Sequence, residues 1–327
     1  YIDSQLVGEL KGLKFLIEVT SKTLDTDIKS IKKAARKGVE KELVKRVEEI
    51  LTQKQIEINN ESKIFWKGEP VAKLKKGHDY LSPEIEIIAD DSLNEEAKLK
   101  LFTFLNNWLV DHINTVLGDL IKLTKHKIKN QYLRGLLFQL YENNGVMKRK
   151  DVDKIVKLIP AEERKKLWSM GVKIGRYHIY LPKMLKPKAV EFRINLWKIY
   201  YNLSDKNKIP KSGLNFLEDK KFEKDFLLLC GFEKFKDFFV RIDILEKLFL
   251  KIIEVTKDKK FKVSSEMMNL LGCSKDNFYK LMIYMNYKKD KSEDTYIFKG
   301  EKRKKEKILQ FDKKENPFNK LLSLNIK

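Results

Sequence analysis

Residues 171–187 concentrate side chains that bind phosphates and stack on bases. Lysine and arginine neutralise phosphate groups, and aromatic rings stack on the faces of exposed bases. We call this segment the basic ribbon. Its candidate nucleic-acid-binding residues are Lys173, Arg176, Tyr177, His178, Tyr180, Lys183 and Lys186. The alternative is a structural β-ribbon packed on helices, whose charged side chains only face solvent.

The glycines and prolines of the basic ribbon favour an extended backbone over a helix. The apolar residues can face a core only if the strand bends once, and Gly175 is where such a bulge would form. This geometry predicts that Lys173, Arg176 and His178 lie on or near the side that faces water.

A second group of basic residues lies in the C-terminal third. The pattern there predicts a helix, a short helix that begins near residue 264, a turn at Gly272, a helix over residues 275–286 and a two-stranded hairpin. This is the element order of a winged-helix module. Its candidate phosphate contacts are Lys275, Asn277, Lys280, Lys288 and Lys289. Such modules also bind protein alone, so that alternative stays open.

The chain contains none of the short motifs that mark nucleotide hydrolysis, dinucleotide binding or metal-dependent proteolysis. The histidines at 78, 112, 126 and 178 lack metal-ligand spacing with either cysteine. No pair of carboxylates stands in an apolar setting that would tune an acid or a base. We therefore expect no catalytic residue, metal site or cofactor within this chain, and enzyme activity stays uncertain.

The charge of the chain indicates a polyanionic partner. The formal net charge is +22 and the pI is near 9.6, which favours RNA, DNA or an acidic membrane surface. Lysine far outnumbers arginine and makes point contacts to phosphate, which favours binding that ignores base sequence. No apolar run approaches a membrane span, and the two distant cysteines favour a reduced, cytoplasmic setting. The first residue is not methionine, which suggests a fragment.

The hydrophobic periodicity predicts a mainly helical α+β protein: a helical bundle with small β-ribbon inserts and a C-terminal winged-helix-like module. Trp66 is expected to anchor the core of a small sheet rather than to stack on a base. The predicted divisions are an N-terminal helix with a small β insert (1–92), a helical domain with the basic ribbon (93–203), a linker (204–221), the winged-helix-like module (222–300) and a disordered basic tail (301–327).

Several stretches occur in an order that resembles a known family. They are residues 2–8 with 12–15, 66–72, 133–136 with 138–140, 171–187 and 270–274. Together they resemble the region that follows the motor in a bacterial family of superfamily 2 helicases related to the mitochondrial degradosome RNA helicase. The resemblance extends to about Tyr287. It departs from the family at Lys173 and Ile174, where arginine and phenylalanine are usual.

The resemblance implies that the complete protein is an ATP-dependent enzyme that unwinds RNA or DNA. ATP and Mg would bind a motor upstream of Tyr1, and no residue of this chain matches the motor's motifs. We expect an accessory region that grips single-stranded RNA or DNA, with helicase motor domains in cis as partners. The alternative is a protein-interaction platform that docks a nuclease or another RNA-degradation partner. A free-standing hydrolase is disfavoured because the site chemistry is missing.

Overall fold

Helices and small antiparallel sheets alternate along the chain in the computed structural model, which describes residues 8–17, 25–53, 55–59, 62–125, 128–203, 209–218, 223–290 and 295–299. The described residues form ten α-helices, one 3-10 helix and fifteen strands in five sheets. The architecture is therefore mixed α/β, with many helices and short strands.

The N-terminal part combines a hairpin, a long helix and a four-stranded sheet. Its elements are β1 (Gly8–Lys11), β2 (Lys14–Ile17), α1 (Asp25–Gln53), β3 (Ile56–Ile58), β4 (Lys63–Trp66), β5 (Glu69–Asp79) and β6 (Ser82–Ile87). The four strands from β3 to β6 pair in chain order. Trp66 is 4% exposed, which confirms its prediction as a core anchor.

Helix α2 (Glu95–Lys125) carries the apolar stripe that the sequence predicts. Asn94 caps it, because its side-chain oxygen accepts the N–H of Ala97 at 2.9 Å. The buried stripe recurs at three- and four-residue steps through Ala97, Leu101, Leu105, Leu109, Ile113, Leu117, Leu120 and Leu123. Burial of this face places α2 at the centre of the largest core.

The first of three similar units follows α2. Its elements are α3 (Gln131–Glu142), β7 (Val146–Lys148), α4 (Arg149–Leu158), α5 (Ala161–Ser169), β8 (Lys173–Ile174) and β9 (His178–Tyr180). The side chain of Asn130 caps α3 by accepting the N–H groups of Tyr132 and Leu133.

A 3-10 helix (Pro182–Leu185) leads into the second unit. The elements of that unit are α6 (Pro187–Tyr201), β10 (Phe216–Glu218), α7 (Lys224–Leu229), β11 (Phe232–Phe235) and β12 (Phe238–Arg241). Proline at the first position of α6 is favoured because that N–H has no partner within a helix.

The third unit begins directly after β12. Its elements are α8 (Ile242–Val255), β13 (Lys260–Lys262), α9 (Ser265–Leu271), α10 (Lys275–Tyr284), β14 (Tyr287–Lys289) and β15 (Thr295–Phe298). Ser264 and Ser274 cap α9 and α10 through their side-chain oxygens.

The three units share one strand order and one register. The last strand lies between the other two in each sheet, in the orders β7-β9-β8, β10-β12-β11 and β13-β15-β14. Equivalent rows across the sheets are Val146, Tyr180 and Lys173, then Phe216, Val240 and Glu233, then Lys260, Ile297 and Lys288. The residue that turns the chain into each hairpin has a positive φ: 81° at Gly171, 90° at Gly231 and 69° at Asn286. The described residues thus follow one chain path three times, a repeat that the sequence analysis did not predict.

The middle unit differs from its neighbours by having one helix rather than two in the described residues between its first and second strands. Its first strand, β10, lies inside the segment 204–221 that was predicted as a linker, and it pairs with β12. Residues 204–208 and 219–221 of that segment, and the tail predicted over 301–327, lie outside the described residues. No helix among the described residues is long and apolar enough to cross a membrane.

Candidate nucleic-acid interface

The loop of the basic ribbon docks onto the third unit through one carboxylate. Glu246 of α8, 6% exposed, accepts the backbone N–H groups of Arg176 at 2.6 Å, Tyr177 at 2.8 Å and His178 at 3.0 Å. On the other side, the Arg149 guanidinium donates to the carbonyl of Gly175 at 2.8 Å. Hydrogen bonds to a charged group are stronger than neutral ones, so this loop is held in place.

His178 does not face water, and that expectation of the sequence analysis is wrong. Its side chain is 1% exposed, and its Nε2 lies 2.8 Å from a carboxylate oxygen of Glu233. Lys148 contacts the other oxygen of Glu233 at 2.7 Å. Burial alone would lower the pKa of His178, but the carboxylates of Glu233 and Glu246 raise it overall. The histidine therefore joins the first unit to the other two rather than offering its ring to a base.

Tyr180 is also covered, because β9 is the central strand of its sheet and the second and third units pack over it. The side chain is 5% exposed and lies in a small apolar cluster with Val146, Leu185 and Ile242. Burial raises the pKa of its hydroxyl to about 12. A ring in this position cannot stack on a base without unpacking the core.

Tyr177 and Arg176 lie against the third unit. The Tyr177 ring is half-buried and meets the Phe249 ring edge-on, with centroids 5.5 Å apart. Exposed Arg176 places its guanidinium 5.7 Å from the centre of the Phe249 ring. Burial raises the pKa of the Tyr287 hydroxyl, and the charge of Arg176 and a hydrogen bond with Tyr177 oppose that rise. Through the Tyr177–Tyr287 hydrogen bond, the loop that carries Arg176 lies at the start of β14, the strand that carries Lys288 and Lys289.

The remaining lysines of the basic ribbon are exposed, but they lie in three different places on the surface. Lys173 lies on β8 at the edge of its sheet. Lys183 forms an ion pair with Asp119 of α2 at 3.0 Å. Lys186 is exposed just before α6. The structure thus does not gather all seven predicted ribbon residues on one surface.

In the third unit, α10 and β14 converge on the ring of Tyr279. The ammonium groups of Lys275 and Lys289 lie 5.5 Å and 5.2 Å from the centre of that ring. Both distances are within reach of a cation–π attraction. Lys280 and Lys288 are exposed nearby on the same two elements. The structure therefore brings Lys275 and Lys289, which are 14 positions apart in sequence, to one partly exposed aromatic ring.

Asn277 has a different environment from the lysines around it. Its side-chain amide donates to Glu218 of β10 at 3.0 Å. The contact ties α10 to the second unit, and a phosphate would have to displace that carboxylate.

Sequence reasoning missed Tyr279, Glu233 and Glu246 as parts of this region. Tyr279 stands four residues after Lys275, which places both on one face of a helix. Glu246 interrupts an otherwise apolar face of α8, a signal that it needs a buried partner. Glu233 lies on a short strand among lysines and carries no comparable signal.

Among the described residues, no group of three or more His, Cys, Asp or Glu side chains could hold a metal ion. Comparisons of the chain with protein-family models, with curated proteins and with solved structures found no match.

Proposed function

We propose that this chain is a nucleic-acid-binding accessory region that grips single-stranded RNA or DNA for the motor of an ATP-dependent superfamily 2 helicase. The observation that carries the proposal is the ring of Tyr279 with the ammonium groups of Lys275 and Lys289 at 5.5 and 5.2 Å from its centre. An aromatic face beside two ammonium groups is the combination that single-strand-binding surfaces use, because every base has a face to stack and every nucleotide a phosphate to neutralise.

The third unit is proposed to be a winged-helix module. The order α8, β13, α9, α10, β14 and β15 supports this assignment, with α10 as the recognition helix and the β14–β15 hairpin as the wing. The first unit repeats the same order, and the second repeats it with one helix fewer. On this proposal the chain carries a tandem of such modules, and Lys275 and Lys289 stand on the recognition helix and the wing of the last one.

The basic ribbon extends this surface. Arg176 lies beside Tyr287, the residue before Lys288. A nucleic-acid strand bound at the Tyr279 ring can therefore continue past Lys289 and along β14 towards Arg176. Lysine and arginine without base-edge contacts give affinity without sequence preference, so the proposed grip is independent of sequence.

The motor domains that bind ATP and Mg are proposed to act in cis with this region, and a nuclease is a further candidate partner. The cytoplasm is the proposed setting. These parts of the proposal rest on the resemblance of the ordered motifs and on the charge of +22.

The test is the binding of a fluorescein-labelled 20-mer of uridines or thymidines, followed by anisotropy between 50 and 300 mM salt. The parent chain should bind, and the double variant Lys275→Ala/Lys289→Ala should bind more weakly at every salt concentration. Its slope of log affinity against log salt should be shallower by about 1.4, since each single-strand phosphate contact contributes about 0.7.

The matched control is Lys41→Ala/Lys45→Ala, which removes the same charge from the exposed face of α1. An equal loss in both double variants would mean that only net charge matters. Absence of binding at the lowest salt, or binding that salt does not weaken, would reject the proposal and favour a protein-interaction platform.

A further inference from the structure

Trp168, the penultimate residue of α5, has an unusually exposed side chain. Its side chain is 75% exposed, whereas Leu167 beside it is fully buried and supplies the packing of α5. The other three tryptophans are covered to a greater extent: Trp66 is buried, and Trp108 and Trp197 are half-buried. The exposed indole does not contribute to the core, so its stability role is small.

A cleft of about 910 Å³ lies beside this indole, between the end of α2, residues 128–129, α5 and the 3-10 helix. Four lysines and two carboxylates line it, an excess of two positive charges: Lys122, Lys129, Lys166 and Lys183 with Asp119 and Glu163. One carboxylate, Asp119, contacts two of these ammonium groups, Lys122 at 3.5 Å and Lys183 at 3.0 Å. The two positive charges in excess of the carboxylates can therefore pair with a bound anion.

We infer that this cleft is a second single-strand contact, in which one base stacks on Trp168 and its phosphate lies among Lys122, Lys129 and Lys183. The inference rests on the proposed function and adds a site to it. The stacking partner is an indole, the largest aromatic face a protein offers, and its neighbours are the cations that a nucleotide phosphate needs.

The repeated units support this assignment. Trp168 precedes the positive-φ residue Gly171 by three positions, as Ile283 precedes Asn286 in the third unit. Helix α5 therefore corresponds to α10, the helix that carries Tyr279. Each of these equivalent helices carries an aromatic ring with lysines beside it, although the rings lie about one helical turn apart, since Tyr279 is four residues before Ile283, the counterpart of Trp168.

The basic ribbon connects the two sites. Gly171 lines the cleft, Lys173 is exposed two residues later, and Arg176 reaches Phe249 and the start of β14. Lys173 lies on β8 and Arg176 in the tight loop that follows it, so two exposed cations lie along the chain that runs from the cleft to the third unit. One strand could thus contact the cleft, the ribbon and Tyr279 in turn.

The test uses the intrinsic fluorescence of the chain. Titration with a 20-mer of uridines should quench the exposed Trp168, and the variant Trp168→Leu should lose most of that quenching. Anisotropy with a labelled 20-mer should show that Trp168→Leu binds about 5- to 150-fold more weakly, the range for loss of one aromatic stack. Trp168→Phe should recover part of the affinity, because it restores a stacking face. The thermal unfolding of both variants should match the parent, because the side chain is 75% exposed.

The outcomes separate the two proposals. If the parent binds, Lys275→Ala/Lys289→Ala weakens binding, and Trp168→Leu retains the parent's affinity and quenching, then the cleft is not a contact and the proposed function stands. If the parent does not bind the 20-mer at low salt, both proposals fail. Weaker binding by Trp168→Leu with no recovery in Trp168→Phe would also overturn the stacking role.

Discussion

Gly175 of the basic ribbon lies directly against the carboxylate of Glu246. A Cβ added at position 175 would stand 2.3 Å from the Glu246 Cδ and about as close to both carboxylate oxygens, at 2.5 and 2.6 Å. This close approach lets one carboxylate accept three consecutive backbone N–H groups. Position 175 requires glycine because any Cβ there would occupy the space of the Glu246 carboxylate.

We predict that Gly175→Ala destabilises the fold by about 2 to 4 kcal/mol, because it displaces a nearly buried carboxylate from charge-assisted hydrogen bonds. Urea denaturation of the variant and the parent measures this change. Gly118→Ala is the matched control, since a Cβ there meets nothing within 4 Å and α2 is helical. That control should gain about 0.5 to 1 kcal/mol. Equal stability of Gly175→Ala and the parent would show that Glu246 moves away freely.

The second prediction concerns the pH dependence of the His178–Glu233 contact. Folding raises the pKa of His178 from its ordinary 6.5, so its contribution to stability is complete below pH 6.5 and is lost as the pH rises through the folded value. Burial opposes ionisation of Glu233, but His178 and Lys148 lower its pKa from its ordinary 4.5 overall. Its contribution is complete above pH 4.5 and is lost as the pH falls through the folded value.

The contact should therefore stabilise the fold most between these ordinary values and less on either side. Thermal unfolding of the parent and of His178→Gln across the pH range measures this difference. The gap in melting temperature should be widest at weakly acidic pH and should narrow as the pH rises through the raised pKa of His178. A gap that stays constant across the range would mean that the imidazole is neutral in the folded state.

Much of the scaffold was predictable because its signals are local. The buried stripe of α2 and the caps at Asn94, Ser264 and Ser274 follow from residue type and spacing. The faces of the basic ribbon were not predictable. Alternation separates the two sides of a strand, but the partners that cover His178 are 55 and 68 positions away. The same alternation is compatible with an exposed ribbon.

The threefold repeat of the chain path was hidden for another reason. Equivalent register positions hold different residue types, such as Lys173, Glu233 and Lys288. The shared features are the positive-φ turn and the order of elements, and these constrain backbone geometry more than side-chain chemistry. The amino-acid sequences of the three units are therefore too dissimilar to indicate the repeat.

The third prediction concerns Arg193, whose side chain is fully buried. Its guanidinium donates to the carbonyls of Met184 and Leu229, and its Nη1 has no partner among the described residues. Burial lowers its pKa to about 10. Arg193→Ala leaves a cavity and two unpaired carbonyls and should cost about 2 to 5 kcal/mol.

Arg193→Met should cost less, because a flexible apolar side chain fills the space and removes a buried charge that is only partly satisfied. Urea denaturation of both variants gives the comparison. Equal losses would mean that the two carbonyl contacts, rather than volume and desolvation, dominate the energetics at this position.

The last prediction tests the path along the basic ribbon. Lys173 and Arg176 are exposed, and the Arg176 guanidinium lies over the Phe249 ring at 5.7 Å, so both charges are accessible to phosphates. Lys173→Ala/Arg176→Ala should weaken the binding of 20-mers of uniform sequence (uridines or thymidines) and of 20-mers of mixed sequence by the same factor. Phosphate contacts carry no base information. The slope of log affinity against log salt should become shallower by about 1 to 2.

The Lys41→Ala/Lys45→Ala variant again controls for net charge, and thermal unfolding checks that the ribbon keeps its place on Glu246, whose bonds reach the backbone rather than the substituted side chains. A loss that depends on base sequence would indicate that the ribbon contacts base edges. An unchanged slope of log affinity against log salt would mean that the nucleic acid does not contact the ribbon. The interface would then be restricted to the surroundings of Tyr279. The ribbon then acts only as the structural link that Glu246 and His178 make between the units.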